Sequence, residues 1–490
     1  MMQNIKRDCW DFLTNHAQSN HYLLHQSEIQ KQQWFASTCQ ITLNYSHQSI
    51  NQETLKLLIN LANACGLKEK IQRLMRGDKV NFSENRPALH TALRAPDNHA
   101  IWVNNINIMH QVMHARNNMK CIVQKIRHNE WLGFSGKPIT DIVNIGIGGS
   151  DLGPRFCLKA FAAILSKDRR YHFISDVDPS SFEQTIQALN PETTLFIVAS
   201  KSFSTQETIY NPHKAIQWLG NKAHLATNCI AVTAHIEKAQ QFGITTILPI
   251  WEWVGGRFSL CSAINLITAI AIGMEAFNQL LAGAHAMDNH FQNTAFDNNL
   301  PVLYGLLGIW NNNFLNRHNL LILTYAQQLE QWVSYVQQLD MESNGKAIDN
   351  QGHRVNYATG PVIWGGLGNQ AQHSYYQLLC QGTHKVTADF ITLDSLDGEL
   401  INDMCASKIN VLTNGVHDEK NPVHEIPGNL PLNHIRLKDA APFTIGALVA
   451  LYEHKVFTQS VIWDINPFDQ PGVESAKRFK AKLDQTVSSV

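Results

Sequence analysis

From Ile142 onward, short apolar runs alternate with segments of helical periodicity, and this alternation restricts the fold more than any other feature of the chain. The runs are Ile142 to Ile145, Tyr171 to Ser175, Thr194 to Ala199, Ile230 to Thr233 and Thr246 to Ile250. Runs this short, rich in β-branched residues and separated by helix-length stretches, predict parallel strands joined by crossover helices. A second series, Leu320 to Thr324, Pro361 to Trp364 and Val386 to Leu393, has the same rhythm without an obvious repeat of sequence. The expectation is an α/β chain with two doubly wound parallel-sheet domains, 100–275 and 276–465. Residues 1–99 are polar and helical in character, with an apolar-periodic segment around Leu55 to Leu61, and should pack on the second domain. Residues 466–490 should form a helical tail. A cleft between the two domains is the default place for a ligand.

The stretch Ile142 to Pro154 holds the first candidate site. Gly146, Gly148 and Gly149 follow a β-branched run, and Ser150 and Asp151 look like a helix start. A strand that turns through glycines into a helix leaves several backbone N–H groups and the positive end of the helix dipole facing one point, where anions bind. Two better-known phosphate loops do not fit. A dinucleotide-binding G-x-G-x-x-G needs a third glycine where Asp151 stands, and no Gly-Lys-Ser/Thr follows for a Walker loop. Tight strand-to-helix packing is the other reading of these glycines.

A formal net charge of -1 argues against general affinity for nucleic acid or an anionic membrane, so any anion site must be local. The second candidate follows Thr194 to Ala199, where Ser200 to Thr208 carries five hydroxyls and one lysine in nine residues. Hydroxyls donate to phosphate oxygens and Lys201 adds a point charge; an over-capped helix start is the alternative. Both loops would emerge at the carboxyl ends of parallel strands, where such sheets bind ligands. Together they suit a small phosphorylated metabolite.

Other stretches are suggestive one by one. Arg257, after Gly255 and Gly256 and before an apolar helix running to Ile272, should face an anion or a developing oxyanion, or else a structural carboxylate. Glu342, beside Met341 in an expected loop, could serve as a general base if partly buried, or be a solvated carboxylate. His373 precedes an expected helix from Ser374 to Leu379, where a neutral imidazole is favoured, or it is a capping or core histidine. Glu474 and Lys477 could be an i, i+3 pair on the tail helix. His110 and His114 have the spacing of a metalloprotease pair, but no glutamate follows His110 and no third ligand is evident.

Nine cysteines without a C-x-x-C pair fit reduced thiols better than disulfides or a zinc site. The N-terminus lacks the apolar run of a secretory leader, and Leu260 to Met274 is too short to span a bilayer. The expected location is the cytoplasm, with no nucleic-acid or membrane partner.

Six blocks taken in order resemble the glucose-6-phosphate isomerase family from about Asn81 to Lys477. They are Gly-Gly-Ser-Asp-Leu-Gly-Pro, Ser-Lys-Ser-Phe-Ser-Thr-Gln-Glu-Thr, Val-Gly-Gly-Arg-Phe-Ser, Met-Glu-Ser-Asn-Gly-Lys, Gln-His and Asp-Gln-Pro-Gly-Val-Glu-x-x-Lys. The resemblance implies two sugar-isomerase type domains and interconversion of glucose 6-phosphate with fructose 6-phosphate through ring opening and a cis-enediol. By this resemblance Glu342 moves the proton between C2 and C1 and Arg257 stabilises charge on their oxygens. His373 carries the ring-opening proton transfer, Lys477 assists at the ring oxygen, and Glu207 holds the histidine. Phosphate would lie on Ser200, Lys201, Ser202 and Thr205, while Gly149, Ser150, Gln338 and Gln470 would line the sugar. The Asn81 to Arg94 segment also resembles the family pattern, which makes its charges more than a solvated face. The family works as a homodimer with the histidine supplied across the interface. Such proton transfer needs a positioned base and oxyanion stabilisation but no nicotinamide or metal cofactor. Two departures are Ser202, where many members have Thr, and Gly365 to Gln372, where many read Gly-Glu-Pro-Gly-Thr-Asn-Gly-Gln. An isomerase of another sugar phosphate and a sugar-phosphate-binding protein without catalysis are the alternatives. A mere binding module has no need of the set Glu342, Arg257, His373 and Lys477.

Overall fold

The structure, a computed structural model, describes residues 2–19, 34–203, 206–418, 420–477 and 479, with the side chains of 2–4 and 206–208 excepted. Its strands are β1 (Phe35–Thr38), β2 (Ile41–His47), β3 (Trp102–Val103), β4 (Ile106–Asn107), β5 (Asp141–Ile145), β6 (Arg170–Ile174) and β7 (Thr194–Ala199). They continue with β8 (Cys229–Thr233), β9 (Thr246–Pro249), β10 (Asn319–Thr324), β11 (Val362–Leu367), β12 (Val386–Leu393) and β13 (Leu432–Leu437).

All eight expected runs are strands of two sheets. The first sheet has the order β6-β5-β7-β8-β9 and is parallel throughout. β5, β7 and β8 are buried along their whole length, which explains why they read as unbroken apolar runs instead of alternating ones. The second sheet has the order β1-β2-β13-β12-β10-β11, with β13, β12, β10 and β11 parallel.

The N-terminal region is not helical throughout. Beside its helices Gln52–Ala64 and Leu67–Arg76, it supplies the hairpin β1-β2, which adds antiparallel to β13. In β2 the side chains of Ile41, Leu43 and Tyr45 are buried in alternation. That period of two is a strand signal, but its hydrogen-bonding partner Leu432–Leu437 lies nearly 400 residues away.

The helix Pro442–Trp463 is buried along almost its entire length. It packs on the helix Met274–Asn293 with backbones in close approach. A Cβ on Gly283 would meet the Phe443 carbonyl oxygen at 1.8 Å, and one on Gly446 would meet that of Leu280 at 1.9 Å. Such burial puts Glu453, His454 and Lys455 at the centre of the protein, where charged groups need partners. Lys455 pairs with Asp340, and His454 and Arg94 both pair with Asp288. Arg94 also bonds Glu453. The helix therefore ties the Asn81 to Arg94 segment and the turn bearing Glu342 to one rigid axis. Among the described residues no helix is long and apolar enough to cross a membrane.

Candidate functional site

In the first sheet β5 is followed by its neighbour β6, and the chain then crosses back to β7 on the other side of β5. Loops that leave β5 and β7 in opposite directions open a crevice at their carboxyl ends, the usual ligand position in such sheets. The two phosphate-loop candidates line this crevice. After Ile145, Gly148–Ser150 form one tight turn that leads into the helix Leu152–Ala160. The Asp151 carboxylate is turned inward onto Arg155, at 2.8 and 3.1 Å, so it does not oppose an anion at the turn. After Ala199, the Ser200 hydroxyl oxygen accepts the N–H of Phe203 at 3.1 Å, and Phe203 is buried in the core of the first sheet. Its φ of +45° sharpens the bend.

The two glycines of the first loop have different reasons. A Cβ on Gly149 would lie 2.0 Å from the Gly256 carbonyl oxygen and 2.8 Å from the Arg257 nitrogen, so this position admits only glycine. Gly148 has a φ of +59°, and a Cβ there would lie 2.9 Å from the Gln338 amide nitrogen. The loop is thus wedged between the Arg257 turn and Gln338.

Arg257 is buried and its guanidinium is held on every side. Nε donates to Ser343 Oγ at 2.6 Å, Nη1 to Gln470 Oε1 at 3.1 Å, and Nη2 to the carbonyls of Pro467 and Asp469. Glu342 Oε1 stands 3.6 Å from Nη1. Burial pulls the guanidinium pKa down, and the Glu342 and Asp469 carboxylates oppose that shift. Glu342 itself keeps 22% of its side chain exposed, so a small molecule can reach it.

The position of Glu342 differs from the expected loop. Gln338–Glu342 is a single π-helical turn that extends the helix Trp332–Gln337. The extra residue in that turn shifts the side-chain phase, a device common at functional sites. Asp340 goes inward to Lys455, the Ile363 N–H meets Met341 Sδ at 3.4 Å, and Glu342 is left facing Arg257. Gln470, at the head of the helix over 471–477, bridges Arg257 and Glu474.

Lys201 is not free. Its ammonium donates to the Glu252 carbonyl at 2.9 Å and pairs with the Glu252 carboxylate at 3.2 Å. Burial lowers its pKa, and Glu252 opposes the shift. Glu252 also pairs with Arg86, which pairs with Glu84, so the Asn81 to Arg94 segment does reach the site. At the far end of that segment, Arg94 donates to Asp288 at 2.8 and 2.7 Å. The His90 ring packs tilted against Phe258, with ring centroids 4.8 Å apart, next in sequence to Arg257.

The structure thus brings Gly149, Ser150, Arg257, Gln338, Glu342 and Gln470 into one cluster, with Ser200, Lys201 and Ser202 on the neighbouring loop. Among the described residues, no hydrogen bond or ion pair joins His373 or Lys477 to that cluster. His373 is exposed in a turn between short helices Gly368–Ala371 and Tyr376–Gln381, so the helix expected from Ser374 starts two residues later. Lys477 is exposed on the 471–477 helix, about 10 Å of helical rise beyond Gln470. Thr205 and the Glu207 side chain lie outside the described residues. His110 and His114 are on the helix Met109–Arg127, where His114 is 3.1 Å from Asn118.

Sequence reasoning passed over Lys346, which turns out to be central. It ends the Met-Glu-Ser-Asn-Gly-Lys block, four residues after Glu342, and its only signal there was that position. Its ammonium donates to the carbonyls of Ser343 at 2.6 Å and Asn466 at 2.7 Å, and pairs with Asp469 at 3.3 Å. A surface groove near Asn51 to Lys68 and Asn293 to Asp297 shares no residue with this cluster.

Comparison with known proteins places the whole chain in a family. Residues 44–489 match the family model described as phosphoglucose isomerase. The glucose-6-phosphate isomerase of Legionella pneumophila (strain Lens) is 61% identical over 449 residues, covering 92% of this chain and 90% of that protein. That of Hahella chejuensis is 42% identical over 512 residues, covering 97% and 92%. A crystal structure of a glucose-6-phosphate isomerase from Chlamydia trachomatis superposes with a TM-score of 0.88 at 28% identity, covering 98% of this chain and 96% of that one.

Proposed function

The chain belongs to the phosphoglucose isomerase family, and from that membership together with the site we infer that it is an aldose-ketose isomerase interconverting glucose 6-phosphate and fructose 6-phosphate. The observation that carries the reading is the Glu342 carboxylate, reachable from solvent and 3.6 Å from the buried Arg257 guanidinium, on the same turn as Gln338, which abuts the Gly148–Ser150 turn. In this reading Glu342 takes the proton from C2 of the open-chain aldose and returns it to C1, through a cis-enediol. Arg257 stabilises the negative charge that develops on the C1 and C2 oxygens. Its fixed hydrogen bonds mean that little reorganisation accompanies the step.

The phosphate sits on Ser200, Lys201, Ser202 and Thr205 in this proposal. The Ser200 oxygen already accepts from Phe203, so its O–H is available to donate to a phosphate oxygen. Gly149, Ser150, Gln338 and Gln470 line the sugar. His373 performs the proton transfer of ring opening, with Glu207 holding it and Lys477 at the ring oxygen. The protein acts as a homodimer in which His373 comes from a second copy. What supports this is placement. The Glu342 turn touches β11 at Ile363, whereas His373 follows the opposite end of that strand, Leu367, roughly 13 Å farther along. We place the protein in the cytoplasm, a reading supported by its nine free thiols.

The test is conversion of fructose 6-phosphate to glucose 6-phosphate by wild type and by Glu342→Gln. Wild type should turn over, and the variant should lose roughly 10²- to 10⁴-fold in kcat with binding of the ester nearly unchanged. Wild-type turnover retained by Glu342→Gln would refute Glu342 as the base. A wild type that binds the ester without converting it would favour a binding protein.

A further inference from the structure

Glu342 and Arg257 come from different parts of the chain, and something must hold them in register. The turn Gln338–Glu342 follows β10 of the second sheet, and the Gly256–Phe258 turn follows β9 of the first. Arg257 is anchored chiefly on a third segment, the carbonyls of Pro467 and Asp469 and the side chain of Gln470. The same segment and the Glu342 turn are joined by one ammonium group. Lys346 Nζ donates to Ser343 O at 2.6 Å, reaches Glu342 O at 3.3 Å, donates to Asn466 O at 2.7 Å and pairs with Asp469 Oδ1 at 3.3 Å. The other Asp469 oxygen accepts from Ser83, so the carboxylate is fixed from both sides.

Resting on the isomerase reading above, we propose that Lys346 is a positioning residue, which sets the Glu342 carboxylate against Arg257 by clamping the 342–343 peptide to segment 466–469. Lys346 spends its donors on backbone carbonyls and Asp469, so it acts through Glu342 and Arg257 and not on substrate. The carbonyls it grips belong to Glu342, to Ser343, whose hydroxyl accepts from Arg257, and to Asn466, whose neighbour Pro467 accepts from Arg257. Loss of the clamp would leave the two reacting groups present but free to drift, and a displacement of about 1 Å can cost on the order of 10²-fold in rate.

The charged groups acting on the ammonium are Arg257 from the turn after Gly255, Asp469 from the 466–469 segment and Glu342 from its own turn. Burial, followed by repulsion from Arg257, pulls its pKa down to about 8, against the attraction of Asp469 and Glu342. An alkaline decline of kcat should therefore begin near pH 8 as the clamp loses its charge.

The experiment measures kcat and KM from pH 6.5 to 9.5 for wild type, Lys346→Met and Asp469→Asn, with Glu342→Gln as reference. Lys346→Met should lose roughly 10- to 100-fold in kcat with KM within about 3-fold, and its residual activity should lack the decline. Asp469→Asn removes the counter-charge and should move the decline to lower pH, which supports the assignment even if Lys346→Met does not fold. Wild-type kcat in Lys346→Met, or a wild-type decline that Asp469→Asn leaves in place, overturns the proposal while the isomerase reading stands. Absence of turnover in wild type overturns both.

Discussion

Replacing Gly149 by alanine adds a single methyl group at the tightest backbone contact of the site. The new Cβ would lie 2.0 Å from the Gly256 carbonyl oxygen, 2.3 Å from its carbon and 2.8 Å from the Arg257 nitrogen. All three are backbone atoms, so no side chain can swing away. Contacts below 3.0 Å are not sustained, and the two turns must part by about 1 Å. Because Ser150 follows on one turn and Arg257 on the other, that gap separates the loop proposed to line the sugar from the cation proposed to stabilise the enediolate. The expected result is a loss of about 10²-fold in kcat/KM for fructose 6-phosphate. Overpacking should also cost about 1–3 kcal/mol of stability, measured by urea unfolding. Gly256→Ala is the steric control, since nothing lies within 4 Å of its added Cβ, and its stability should stay within about 0.5 kcal/mol of wild type. A Gly149→Ala protein with wild-type kcat/KM and an unchanged unfolding midpoint would refute the close-approach argument.

Glu252 pairs with Lys201 at 3.2 Å, so on the proposed assignment it competes with the phosphate, and its half-exposed pairing is worth up to about 1 kcal/mol. Glu252→Gln should therefore lower the KM for the sugar phosphate by about 2- to 5-fold, with the backbone contact of Lys201 retained. A raised KM would mean that Glu252 holds the lysine in place for its ligand and does not oppose it. The homodimer is tested by dissociating and mixing two inactive variants, Glu342→Gln and His373→Ala. If the histidine crosses the interface, each mixed dimer regains one intact site, and random pairing returns about a quarter of wild-type activity. No recovery, with mixed dimers demonstrated by mass, would place both residues in the same subunit's site.

The sequence by itself determined what depends on short-range pattern. Buried strands such as Thr194–Ala199 and Val386–Leu393 read as apolar runs because both faces of a parallel sheet are covered. The glycines of 146–149 announced a turn because only a residue without Cβ suits it, and the ordered blocks around Arg257, Glu342 and Gln470 carried the family resemblance. Tertiary structure alone decided the pairings between distant segments, because a side chain's partner is set by how the chain closes and not by its neighbours in sequence. Ile41–His47 became a strand through Leu432–Leu437, and Lys201 met Glu252 only when the Trp251 to Trp253 segment folded back over its loop. The same holds for Glu342, whose facing toward Arg257 depends on a helical turn pinned from beneath by the Asp340–Lys455 pair. Lys346 shows the limit most clearly. As a lysine after a glycine it was indistinguishable from a solvated charge, and burial among three carbonyl oxygens and Asp469 is what makes it a strut.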